Sequence, residues 1–525
     1  MLAQIAAIMG GLLVFLFLLT FSIAPYFASL PRKGATEAQF KAELDREAPR
    51  MLRHFGIPGV VIATVVNGAP SRIYAYGFAN LERRQPMTPD TVFRVASISK
   101  SLTAWGVLRL VQDGKVSLDG SAQSYLRQWP LAPSVFPSKA ITVRRLLNHT
   151  AGLNPGTDTF RSANEPAQSP LDVLREGGAA GAPASQIQPA GKSFLYSVPG
   201  YTILQMMVED QTHEPFADYM KRTVLRPLGM NSSSFQWDET LRGRTATPYV
   251  TDRGASQIDI PQDAAADSLF TTAPDLARFI AAPLPDARLP AGAGVLSEAS
   301  VAELYSDPDD ASSLPLAAFG PDHPTLGYFL ERLPGQPVIV TNGGYDPGWA
   351  SRFYLVPATG DGIAILTNSD HAQPLIAQIA SIWSSWRGLP PTGMARTYRA
   401  LGVEAGAALG LVVMLTISFA GGLALEIAGQ TRRFLAFRRI APAASALECV
   451  LAITTVGLWV LAYRAVRAMP TLDAVGTSAI AFFTLVVVAR VIFPGGPARQ
   501  ESRGPHQSSS NRKVGFEKLR RAWPA

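Results

Sequence analysis

Four stretches of this chain, residues 5–30, 405–427, 441–463 and 475–493, are apolar over about the 20 residues that a helix needs to cross a bilayer. They bracket one long segment of mixed polarity, rich in Pro/Gly turns. The chain therefore reads as a folded domain at 31–390, preceded by an anchor or signal peptide at 1–30. Three further spans follow at 400–493, and a tail closes the chain at 494–525. Four crossings put the N-terminus, the loop at 430–439 and the tail on one side. That side carries Arg432, Arg433, Arg438 and Arg439, joined in the tail by Arg499, Arg503, Arg512, Lys513, Lys518, Arg520 and Arg521. Basic residues favour the cytoplasmic side, so the large domain is expected outside the cytoplasm; Arg32 and Lys33, directly after the first stretch, pull the other way. The first stretch lacks the basic start and the strong cleavage site of a signal peptide, and is expected to stay as an anchor. Glu448, in the third stretch, sits near its cytoplasmic end and is expected to reach the interface there.

The net charge of +7 comes from 47 Lys and Arg against 40 Asp and Glu. Because much of that excess lies beside the apolar stretches and in the tail, it marks a membrane protein's cytoplasmic side rather than a nucleic-acid-binding face. The single cysteine, Cys449, excludes a disulfide within the chain and any cysteine-based metal cluster. Within the domain, residues 59–66 and 72–76 read as strands around a turn at Asn67-Gly68. Residues 102–112 read as a helix ending at Asp113-Gly114. Downstream, 338–341, 350–356 and 362–367 read as consecutive strands and 371–386 as a helix. Strands at both ends with helices between them predict an α+β domain whose first and last segments share one sheet.

The chemistry is carried by T-V-F-R-V-A-S-I-S-K-S-L-T (91–103), which contains S-x-x-K at Ser97 and Lys100. A serine hydroxyl needs a base before it attacks, and three residues along a helix bring a side chain back to the same face. A helix starting at Ser97 would also turn its free N–H groups toward a developing oxyanion. The four-residue pattern recurs at Ser510–Lys513 in the tail, so its weight at Ser97 comes from context, an apolar strand before and a helix after. There is no G-x-S-x-G elbow, and His149 in its His-Thr-Ala-Gly setting reads as part of a turn rather than of a Ser-His-Asp triad. With no H-E-x-x-H and no dense His/Asp/Glu cluster, neither a metal nor a cofactor is expected.

From these residues the chain is identified as resembling the serine β-lactamase-related family, which includes class C β-lactamases, D-alanyl-D-alanine carboxypeptidases, penicillin-binding proteins and related esterases. Further segments follow in the family's order over 39–386: L-L-N-H-T-A-G-L (146–153), G-K-S-F-L-Y-S-V-P-G-Y (191–201), L-R-P-L-G-M (225–230), F-T-T-A-P-D-L-A (270–277) and N-G-G-Y-D-P-G (342–348). The resemblance implies a β-lactamase/transpeptidase-like fold, an antiparallel sheet flanked by helices with a helical subdomain. It also implies that Tyr196 pairs with Lys100 as proton shuttle. The second half of the oxyanion hole would be a backbone N–H at Gly344 or Tyr345, acting with that of Ser97. Two departures stand out. The family's Y-S-N is here Tyr196-Ser197-Val198, which removes an amide that contacts substrate. The third motif, laid on Thr341 or Asn342 with Gly343 and Gly344 following, has no cation to hold a substrate carboxylate; Arg352 on the neighbouring strand is a candidate replacement. The expected activity is hydrolysis of an ester, small peptide or amide, drawn from the cell envelope, through an acyl-enzyme. The rival is a catalytically weak sensor or scaffold that binds an envelope ligand and relays it through the spans.

Overall fold

The computed structural model describes residues 34–400 and 402, apart from 132, 157–158, 163–164, 178–181, 252–253, 285–290, 307–322 and 333–334. The four apolar stretches and the basic tail lie outside the described residues. Among the described residues, no helix is long and apolar enough to cross a membrane.

Helix α1 (Glu37–Phe55) begins at Thr36, whose hydroxyl accepts from Gln39 N at 3.2 Å while the Gln39 side chain accepts from Thr36 N at 2.8 Å. It ends at Gly56, in the left-handed conformation. β1 (Gly59–Val66) and β2 (Ala69–Asn80) form a hairpin. Its turn residues Asn67 and Gly68 have φ of 51° and 79°, the positive values that a tight two-residue turn requires. Then come β3 (Gln85–Pro86), β4 (Val92–Arg94), α2 (Ile98–Gln112), α3 (Val198–Thr212), α4 (Ala264–Asp267), β5 (Phe270–Thr272) and α5 (Ala273–Ala281). The last part of the domain supplies β6 (His323–Pro324), β7 (Phe329–Glu331), β8 (Ile339–Asp346), β9 (Trp349–Val356), β10 (Asp361–Thr367) and α6 (Gln373–Arg387).

Eight of these strands form one antiparallel sheet in the order β6-β7-β8-β9-β10-β1-β2-β3. β1 pairs with β10 from Val60↔Thr367 to Val65↔Gly362, so the first and last segments share a sheet, as the sequence predicts. Both faces are covered. Val61, Ala63 and Val65 enter one core with residues of α2, α3 and α5, while Val60 and Ile62 enter a second with α1 and α6. Double coverage explains why β1 is Val/Ile-rich throughout instead of alternating with polar residues. Each such side chain contributes about 1.5–3 kcal/mol on burial. Trp386 of α6 stacks on Phe40 of α1 at 4.2 Å and donates Nε1–H to Ala35 O, closing the two ends of the domain on each other.

Several boundaries differ from the sequence reading, β2 running over Ala69–Asn80 instead of 72–76. α2 begins at Ile98 rather than 102, because its polar first turn (Ser99, Lys100, Ser101) is buried against the protein. β8 runs through the glycines to Asp346 instead of stopping at 341. Packing also continues past residue 390: residues 393–400 are helical, Met394 and Ala395 are buried, and Gly393 N donates to the Glu331 carboxylate at 2.6 Å.

Candidate active site

Ser97 sits where β4 turns into α2. The residue before it, Ala96, has a φ of 45°, a conformation costing a non-glycine residue of order 1–3 kcal/mol unless the surroundings enforce it. The enforcement is visible. The buried Arg94 guanidinium pairs with Asp346 at the end of β8 (3.1 Å; exposures 1% and 2%) and also donates to Asp259 O. Between these anchors β8 lies so close to β4 that a Cβ on Gly344 would stand 1.9 Å from Val95 O. Gly344 is therefore required for this approach.

As N-cap of α2, Ser97 aims its hydroxyl at three side chains. Tyr196 Oη lies at 2.7 Å, Asp267 Oδ1 at 2.8 Å and Lys100 Nζ at 3.0 Å. Lys100 and Asp267 are 2% and 3% exposed and form a salt bridge at 3.3 Å, with Lys100 also donating to Ala266 O at 3.2 Å. Lys100 lies 5.1 Å from the centre of the Tyr196 ring. Burial raises the Tyr196 pKa against the opposing pull of Lys100, so the phenol keeps its proton at rest. Ser97, Lys100 and Tyr196, singled out from the sequence, thus meet at one point. Asp267 was missed. Its one sequence cue is an acid among apolar neighbours, between Ala264–Ala266 and Leu269.

The third motif is arranged differently from the expectation. Asn342, not Thr341, faces α2, and it does not present itself to a substrate. Its Nδ2 donates to Ser101 Oγ (2.9 Å), Gly327 O (3.1 Å) and Ser97 O (3.2 Å), and its Oδ1 accepts from Gly343 N at 2.8 Å. With the whole amide engaged, Asn342 braces β8 against α2. Because Gly343 N points to the edge of β8 away from β9, the period of two along a strand turns Tyr345 N to the same edge. β7 stops pairing at Thr341, so Tyr345 N–H, rather than that of Gly344, lies on an edge of β8 without a strand partner. Val198, in the first turn of α3, is packed into the apolar core and donates only its backbone N–H, to Pro155 O. Arg352 is no substitute cation. It pairs across from Gly343 on the sheet face of Tyr354, away from Ser97, and donates to Thr341 Oγ1.

His149 is held for structure. Its Nδ1 accepts from Ser197 N at 3.1 Å and its ring lies 4.4 Å from that of Tyr196, steadying the phenol. Burial first, then Lys100, lowers its pKa to about 3. The unfolded chain therefore takes up a proton near pH 6.5 that the folded domain refuses until about pH 3. Stability is full above about pH 6.5 and is lost at up to about 1.4 kcal/mol per pH unit as pH falls through that window. Urea midpoints between pH 7 and 4 are expected to drop, and His149→Gln to flatten the drop. A wild-type midpoint independent of pH over that range would contradict a buried neutral His149.

Residues 44–384 match the sequence profile of the family described as Beta-lactamase. Penicillin-binding protein 4 of Amycolatopsis lactamdurans is 28% identical over 320 residues, covering 59% of this chain and 81% of that protein. A β-lactamase of Yersinia enterocolitica is 24% identical over 377 residues, 67% of this chain and 92% of that one. Among solved structures, the octameric penicillin-binding protein homologue from Pyrococcus abyssi superposes with a TM-score of 0.56 at 21% identity, over 69% of this chain and 81% of that one, a likeness of fold.

Proposed function

The chain belongs to the beta-lactamase family, and from that premise we propose that it is a membrane-anchored serine hydrolase whose catalytic domain stands outside the cytoplasm. Its substrates are neutral esters, amides or small peptides, which Ser97 opens through an acyl-enzyme; cell-envelope material is the source that such a location offers. The observation that carries the reading is the convergence of Lys100, Tyr196 and Asp267 on the Ser97 hydroxyl within 3.0 Å. Lys100 and Tyr196 supply the charge and the proton transfer that acylation needs, and Ser97 N and Tyr345 N receive the oxyanion.

Substrate preference follows from the charges around the nucleophile. Among the described residues, the cation within reach of Ser97 is Lys100, already paired with Asp267. Asn342 and Val198 offer a ligand nothing polar, and Arg352 is on the opposite face. A missing charge-assisted hydrogen bond costs about 1.5–3 kcal/mol, roughly ten- to a hundredfold in discrimination. The full-length chain in detergent should therefore show a higher kcat/KM for a p-nitrophenyl ester than for a chromogenic cephalosporin. Faster cephalosporin turnover would refute the preference.

The engaged Asn342 and apolar Val198 also favour a second reading, an envelope-ligand sensor with little turnover; acyl-enzyme formation without appreciable hydrolysis of any tested ester or amide would select it. Orientation is tested by reporters active only in the cytoplasm. Fused after Ala400 such a reporter should be silent, and fused after Arg439 it should be active. The reverse pattern would place the domain inside.

A further inference from the structure

Resting on the hydrolase reading, we infer that the base taking the proton of Ser97 is the carboxylate of Asp267, with Lys100 remaining an ammonium ion throughout. The argument is a count of donors and acceptors. An ammonium group has three N–H bonds, and acceptors for all three surround Lys100 Nζ, among them Ser97 Oγ at 3.0 Å, Ala266 O at 3.2 Å and the Asp267 carboxylate at 3.3 and 3.4 Å. Discharging Lys100 would leave Asp267 a buried anion without its counter-charge, which is strongly unfavourable. A lysine so held has no lone pair with which to accept a proton. Tyr196, the other neighbour of Ser97 Oγ, keeps its own. The acceptor left at the Ser97 hydroxyl is Asp267 Oδ1, at 2.8 Å.

The steps balance. In acylation the Ser97 O–H bond breaks and its proton passes to Asp267 Oδ1 as Oγ bonds to the substrate's acyl carbon. The bond from that carbon to the leaving group then breaks, and the Tyr196 Oη proton goes to the leaving group. The acyl-enzyme carries neutral Asp267, cationic Lys100 and Tyr196 phenolate, with no net change in charge from the resting site. Protonated Asp267 now donates to the ester Oγ, where an ionised carboxylate 2.8 Å away would have met lone pair with lone pair. In deacylation the phenolate takes a proton from water, the resulting hydroxide bonds to the acyl carbon, and the ester bond to Oγ breaks. Asp267 returns its proton to Oγ, and the site is reset. Lys100 stabilises the serine alkoxide character first and the phenolate later, without titrating.

A p-nitrophenyl ester separates the two proton transfers, because p-nitrophenolate departs without needing a proton, and Tyr196 then yields its proton to bulk water to give the phenolate that deacylation uses. In the full-length chain, Asp267→Asn should slow the acylation burst by about 10²–10⁴-fold, and Asp267→Glu should recover part of it. Tyr196→Phe should keep the burst but stall turnover, so that intact mass shows acylated Ser97 accumulating. A folded Asp267→Asn chain that bursts within about threefold of wild type overturns the inference in favour of Lys100 as base. A Tyr196→Phe chain that loses its burst overturns it in favour of Tyr196, and this result decides even if Asp267→Asn does not fold. A wild-type chain giving no adduct on Ser97 would bring down the hydrolase reading itself.

Discussion

Replacing Asp346 with alanine is expected to lower the unfolding free energy by about 3–5 kcal/mol, because it strands a guanidinium in the interior. Arg94 is 1% exposed and its one ionic partner in the described structure is Asp346, itself 2% exposed. The remaining bond from Arg94 to Asp259 O satisfies one N–H but does not neutralise the charge. Arg94 ends β4, three residues before Ser97, and Asp346 follows Tyr345, so the pair also sets the spacing of Ser97 N and Tyr345 N, the oxyanion donors proposed above. Acylation should fall together with stability. A fair control is the Lys41–Asp45 pair on α1, with side chains 57% and 46% exposed, where Asp45→Ala should cost no more than about 1 kcal/mol. Denaturant midpoints of the two variants give the comparison. A loss below about 1 kcal/mol for Asp346→Ala would mean that water or a shifted backbone solvates Arg94, and that the pair does not hold β4 against β8.

Much of this fold was legible because its strands obey local rules. β1 and β10 are runs of valine, isoleucine and leucine bounded by turns, and α6 shows helical spacing. Ser97, Lys100 and Tyr196 were legible because each lies in a segment with its own recognisable surroundings. What stayed hidden depends on contacts remote in sequence or on the direction of one side chain. Asp267 lies 170 residues from Ser97 and 167 from Lys100, and nothing periodic connects them. Arg94 was a hint left unused, since an arginine between Phe93 and Val95 in a buried strand needs a counter-charge somewhere. From the sequence, Asn342 and Val198 are expected to lack a substrate cation and a substrate amide. Only the structure reveals that Asn342 is consumed in bracing α2 and that Val198 belongs to the core. Alternation along β8 and β9 likewise sends Arg352 to the far face, which a list of nearby cations does not disclose. The membrane-length stretches are the plainest feature of the sequence and lie outside the described residues, so their orientation rests on charge alone.

The largest effect on activity should come from the nucleophile itself. Ser97→Ala removes the atom that bonds to the acyl group, while Lys100→Met leaves Asp267 as an uncompensated anion beside the developing alkoxide and should slow acylation by about 10²–10⁴-fold. Neither change touches Tyr345 N or the Arg94–Asp346 pair, so the proposed oxyanion donors stay in place. The most direct measurement is intact mass and peptide mapping of the full-length chain after exposure to a fluorophosphonate and, separately, to a penicillin. A single fluorophosphonate adduct mapping to Ser97, absent from Ser97→Ala, is the predicted result, with the penicillin adduct slower to form. Persistent labelling of Ser97→Ala, or an adduct on another serine, would contradict the assignment of Ser97 as the nucleophile.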